Sequence, residues 1–199
     1  MDTYYTVEGP GEGRYTEKMS RFLAFARPAA SAAEAREIVR ELQNRYHDAR
    51  HVCWAYMIGP QRNEWQLNDN GEPSGTAGKP ILGQINSLEL TDVVVAVVRY
   101  FGGIKLGTSG LIVAYREAAR LALEAAGRKE CHEMRSVKAI FPYVAADGVM
   151  KISKLPGIEV TEREFDNVCS VTLRMRADMI DEMTGRLDAL SGVSVEVIE

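Results

Sequence analysis

The chain has 199 residues, of which 46% are hydrophobic and 26% charged, and its 24 Lys and Arg against 28 Asp and Glu leave a formal net charge of −4. That balance buries a core in one large domain or two small ones and excludes a disordered chain. It also excludes the strongly basic field of a typical nucleic-acid binder, so any phosphate contact must come from a local patch.

The amino terminus, Met1-Asp2-Thr3-Tyr4-Tyr5, has neither the basic start nor the apolar stretch of a secretory signal. Residues 18–27 read as a strand, with Met19, Phe22 and Phe25 among the apolar positions. Ser31 then opens a helix with a capping box: its hydroxyl can accept from the Glu34 amide while Glu34 reaches back to Ser31. Apolar residues at Ala35, Ile38, Val39, Leu42 and Tyr46 form a stripe of period 3.6 that should face a sheet. Residues 51–58 and 64–67 predict two short strands around a Gly59-Pro60 turn. Residues 91–100 form a β-branched run, apolar on both sides, as in a strand covered on both faces. It is far shorter than the ~20 residues that span a bilayer, so no membrane partner is expected. Thr108 is the expected cap of the next helix, whose buried side carries Leu111, Tyr115, Ala118, Ala122 and Leu123 and which ends near Gly127.

We place a domain boundary there, giving domains 1–129 and 130–199. Residues 1–130 hold 16 Lys and Arg against 16 Asp and Glu, so the whole −4 lies in the remainder, with 8 against 12. This remainder predicts the β-α-β-β-α-β order of a ferredoxin-like domain. Its strands are 135–141, 158–165 and 168–175, followed by a last strand carrying Val193, Val195 and Val197. Asp166-Asn167 is a two-residue hairpin signal. Cys169, Val171, Leu173 and Met175 alternate onto one face. Its first helix spans 146–154, and Asp178 is the expected cap of a second bearing Ile180, Met183, Leu187 and Leu190.

Two glycine-rich segments stand out. The first is Asp69-Asn70-Gly71-Glu72-Pro73-Ser74-Gly75-Thr76-Ala77-Gly78-Lys79-Pro80-Ile81-Leu82; the second is Arg99-Tyr100-Phe101-Gly102-Gly103-Ile104-Lys105-Leu106-Gly107-Thr108-Ser109-Gly110-Leu111. Each runs into a helix, where unpaired amides and the positive end of the helix dipole attract anions. The two segments closely resemble the signature segments of the IMPACT family, in its two-domain, YigZ-like bacterial form. The resemblance implies an α+β chain. The first domain would be an α/β sandwich with the fold of the second domain of a small-subunit ribosomal protein, also seen in elongation factor G. The ferredoxin-like second domain would look like another elongation factor G domain. Asn70 stands where the family usually has a second acidic residue, and Val113, in the following helix, where many members have Arg; the first removes a carboxylate from the first loop and the second a cation beside the second loop.

A P-loop fails, because Pro73 and Pro80 occupy the positions of its first Gly and its Ser/Thr. Phe101-Gly102-Gly103 is not a dinucleotide fingerprint. His47, His51 and Cys53 lack the geometry for zinc, so no metal and no cofactor are expected. Cys53, Cys131 and Cys169 are too few and too scattered for a disulfide framework and suit reduced thiols in a cytoplasm. No His lies in either loop to activate a hydroxyl, so no catalytic residue is assigned. The leading expectation is a non-catalytic, translation-associated protein that binds RNA, a ribosomal component or another polyanion. Lys79, Arg99 and Lys105 would meet phosphate. Ser74, Thr76, Gly78, Gly102, Gly103, Gly107, Thr108, Ser109 and Gly110 would supply hydroxyls, amides and close backbone approach, with Asp69 and Glu72 as a further polar site. Two alternatives stay open: an enzyme acting on a small phosphorylated or carboxylated metabolite, and a protein-interaction module docking through the second domain's sheet. Eukaryotic relatives regulate translation through a partner protein, but they use an additional amino-terminal domain.

Overall fold

A computed structural model describes residues 3–198. Their contacts divide into two units, Thr3–Cys131 and the residues from His132 onward.

The first unit is organised by the β-branched run. Strand β6 (Val93–Tyr100) lies in the middle of a five-stranded sheet, flanked by β3 (Ser20–Pro28) and β4 (His51–Ile58), with β2 (Gly11–Glu17) and β5 (Glu64–Asn68) at the edges. Every neighbouring pair is antiparallel. Alternation sorts the side chains of β6 by face. Val94, Ala96 and Val98 pack under α1 (Ala32–Arg45), whereas Val93, Val95 and Val97 pack under α2 (Gly78–Ser87) and α3 (Gly107–Ala126). The strand is covered on both faces, and the candidate loops belong to the α2–α3 layer.

Three local expectations change. Residues 18–27 are not one strand: Lys18 and Met19 adopt positive φ and form the turn of the β2–β3 hairpin. In β2, the strand before that turn, the glycines serve packing. A Cβ at Gly11 would overlap the Ala122 carbonyl, and one at Gly13 would lie 2.6 Å from the Ala122 amide, so α3 rests directly on the strand backbone. Ser31 does cap α1 by accepting from the Glu34 amide at 3.2 Å, but Glu34 accepts from the Ala30 amide at 2.8 Å rather than from Ser31. Residues 128–130 are not simply a connection either: β7 (Lys129–His132) pairs with β1 (Thr3–Thr6) in a two-stranded sheet.

In the second unit, β8 (Met134–Phe141), α4 (Ala146–Ile152), β9 (Glu159–Phe165), β10 (Cys169–Arg176), α5 (Ile180–Asp188) and β11 (Ser194–Ile198) follow in order. The sheet runs β11-β8-β10-β9, again antiparallel throughout. Val137, Ala139, Phe141, Cys169, Val171, Leu173 and Met175 form its buried face, packed on Val149 of α4 and Ile180, Met183 and Leu187 of α5. Asp178 does not cap α5; it sits in a preceding 3₁₀ turn (Ala177–Met179) and pairs with Arg176 at 2.6 Å. Among the described residues no helix is long and apolar enough to cross a membrane.

Candidate functional site

The first glycine-rich loop is held together by Asp69. Its Oδ2 accepts from the Gly75 amide at 2.9 Å, and its Oδ1 accepts from the amides of Ala77 at 3.1 Å and Gly78 at 2.8 Å. The carboxylate therefore occupies the positive end of α2, where it is favoured by the helix dipole. This corrects two sequence expectations. The Asp69 carboxylate, expected as part of a further polar site, is engaged inside the loop, and the Gly78 amide is occupied by it rather than offered to a guest. Thr76 is buried and donates its hydroxyl to the Pro73 carbonyl at 2.6 Å, so it too belongs to the loop's own structure. Ser74 is exposed.

Glu72 and Arg99 come from different segments and form a buried ion pair, with Arg99 Nη1 donating to Glu72 Oε1 at 2.6 Å. The Tyr115 hydroxyl, from α3, donates to the same oxygen at 2.7 Å, and Cys53 Sγ lies 3.3 Å from that hydroxyl. Burial pushes the Cys53 thiol up to about 12 and pushes the Tyr115 phenol upward as well, so neither is a nucleophile near neutral pH. Arg99 is thus not a free phosphate cation, although its Nε is buried without a hydrogen-bond partner. Its guanidinium lies 5.6 Å from the Phe22 ring and 5.7 Å from the Phe101 ring.

Above this pair opens a cavity of about 450 Å³, within the size range of ligand pockets. Glu72 and Arg99 line its floor, the exposed Arg50 and Lys105 line it as well, and Phe101 and Thr108 complete the α3 side. His51, also on the wall, places Nδ1 2.8 Å from the Asn70 carbonyl, which requires the proton on that nitrogen. Thr108 does not cap α3. The helix starts at Gly107, with Leu106 before it, and no side chain caps its first turn. Gly107 (φ 74°) lies on the cavity wall, and Thr108 and Ser109 are exposed.

The remaining glycines divide by role. A Cβ at Gly102 would overlap the Met19 carbonyl, and the Gly102 amide donates to Ser20 Oγ at 3.1 Å, so Gly102 seats the second loop on the β2–β3 turn. Gly103 bends the loop at φ 92° with open space around it. Ser109 and Gly110 border a second, smaller cavity with Val113. Lys79 is exposed in the first turn of α2 and borders a separate cavity between α2 and α3 with Arg116. The cavity over the ion pair therefore gathers Lys105, Arg99, Glu72, Gly107 and Thr108, while Lys79 and Ser109 border others. Sequence reasoning missed Arg50 and Tyr115. A tyrosine in a buried helical stripe must still satisfy its hydroxyl, which was the available signal for Tyr115.

Residues 18–123 match the family model described as the Impact N-terminal domain, more than half of the chain. The chain belongs to the IMPACT family. It is similar to IMPACT family member YvyE of Bacillus subtilis (strain 168), 38% identical over 135 residues, covering 68% of this chain and 62% of that protein. It is also similar to IMPACT family member YigZ of Escherichia coli (strain K12), 40% identical over 108 residues and 53% of each chain. The aligned region spans less than two thirds of the length of these curated IMPACT relatives. A crystal structure titled as that of a hypothetical protein matches over 100% of this chain and 98% of its own, with 26% identity and a TM-score of 0.76. Both glycine-rich loops up to Leu111 fall inside the region that matches the IMPACT model.

Proposed function

We propose that this IMPACT protein is a non-catalytic, translation-associated protein of the cytoplasm that binds RNA or a ribosomal component through the cavity over the Glu72–Arg99 pair. One observation carries this reading: the cavity's acidic group is neutralised from within, while its free charges are cationic. Glu72 is held by Arg99 and Tyr115, leaving Arg50, Lys105 and the uncapped first turn of α3 to meet an anion. The neutral charge balance of residues 1–130 makes such a local arrangement the source of attraction, not the protein's overall field. The kinship proposed for the two units supports a translation role: a ribosomal-protein-like fold in the first, and a ferredoxin-like fold resembling an elongation factor G domain in the second.

Ribosome co-sedimentation and RNA binding across a salt series test the proposal. Two phosphate contacts on a single strand predict a slope of log K against log[salt] of about −1.4. Arg50→Ala combined with Lys105→Ala should flatten that slope and release the protein from the pellet, whereas Lys79→Ala should do less. Salt-independent binding, or retention of the Arg50/Lys105 double variant, refutes the proposal. Saturable binding of a small phosphorylated metabolite without RNA retention would favour the enzyme class instead.

A further inference from the structure

Phe101 is 52% exposed and sits on the cavity wall, beside the Glu72–Arg99 pair that lines its floor. An aromatic side chain left half in water costs hydrophobic stabilisation, and packing inside the first unit does not require it there. Arg99 backs the ring, with its carbon 5.7 Å from the ring centre, and Arg99 is itself 7% exposed with Nε unpartnered. The ring therefore lines the cavity within cation–π distance of a buried guanidinium whose Nε lacks a hydrogen-bond acceptor. Arg50 and Lys105 border the same space. An exposed aromatic ring, a guanidinium near it and two exposed cations lining the same cavity are the elements that hold unpaired nucleotides: the base stacks and the phosphates lie along the charges. A duplex keeps its bases stacked inside and offers none to such a plane.

We infer that the cavity selects single-stranded RNA by stacking one unpaired base on Phe101, with the flanking phosphates on Arg50 and Lys105. This inference rests on the polyanion reading above and adds the state of the nucleic acid. The probes are a fluorescein-labelled oligouridine of about ten nucleotides, within single-strand site sizes, a duplex RNA of equal length and inorganic polyphosphate, measured by anisotropy and by competition. Oligouridine should bind about tenfold or more tightly than the other two, the size of effect expected of one aromatic–base stack. Phe101→Ala should erase that preference and leave polyphosphate competition unchanged, and Phe101→Trp should retain it. Because Phe101 is half-exposed, these variants should fold, and the urea transition followed by tryptophan fluorescence checks this in the Ala variant. If the three probes bind alike and only the Arg50 and Lys105 substitutions weaken them, the stacking inference falls and the polyanion reading stands. If none of them binds, both fall.

Discussion

The Glu72–Arg99 pair makes the sharpest energetic test. The two side chains are 4% and 8% exposed and meet at 2.6 Å, so neither charge has water to fall back on. Removing one partner of a buried pair strands the other and typically costs 3–5 kcal/mol. Arg99→Met should therefore destabilise the first unit by about 3–5 kcal/mol, with Glu72→Gln acting in the same direction. At about 2–4 °C per kcal/mol for a chain of this size, Arg99→Met should lower Tm by roughly 6–20 °C. The double variant Arg99→Met, Glu72→Gln removes both charges while keeping an oxygen to accept from Tyr115. It should lie within about 2 kcal/mol of the wild type, because neutral replacement of a buried pair is nearly free. The assay is urea unfolding followed by tryptophan fluorescence. Both tryptophans, Trp54 and Trp65, lie in the first unit, so the signal reports that unit alone. Single variants each costing under about 1 kcal/mol, or a double variant as unstable as the sum of the singles, would show that the pair is not a coupled buried unit.

Gly102→Ala should cost about 1–3 kcal/mol through overlap with the Met19 carbonyl, seen as a lower midpoint in the same urea assay. An unchanged midpoint would mean that the loop is not seated there. Burial raises the Asp92 carboxyl above its ordinary value, although the Gly59 amide, donating to Oδ1 at 2.8 Å, opposes this. A carboxyl whose folded value is raised favours the protonated fold, so this stability is fully present below the unfolded value near 4 and is lost as pH rises from there through the raised folded value. Asp92→Asn keeps an acceptor for Gly59 and suits the positive φ at this position. Its stability relative to wild type, followed by Tm from pH 3 to 7, should rise with pH; a flat or falling difference contradicts the assignment.

Much of the scaffold was legible because its signals are local. The run at residues 91–100 declared a strand buried on both faces, and the Ser31 box declared the start of α1. The alternation from Cys169 to Met175 declared the core face of β10. What failed was structure decided by distant partners. Strand β2 is unreadable because Gly11 and Gly13 are chosen for contact with α3, more than a hundred residues away in sequence. The loop glycines advertised anion binding in both segments alike. The sequence could not show that Asp69 folds back onto Ala77 and Gly78, which occupies those amides, while no side chain caps the first turn of α3. Arg99 and Lys79 look equivalent as cations near glycines, yet Arg99 is buried against Glu72 and Lys79 faces another cavity. Tyr115 shows the same limit: its place in the helical stripe was plain, but its bond to Glu72 required the fold.

The seat of Gly102 on the Met19 carbonyl ties the hairpin tip to the cavity wall. Because the tip's backbone, not a side chain, forms the seat of Gly102, the two cannot vary in length independently. A residue inserted into the Lys18-Met19 turn would shift the shelf on which Phe101 is mounted, some eighty positions downstream, without touching any group that meets a ligand. Relatives with a longer tip should therefore carry a re-shaped second loop, and grafting the loop alone onto another member's hairpin would transplant its residues but not their aim.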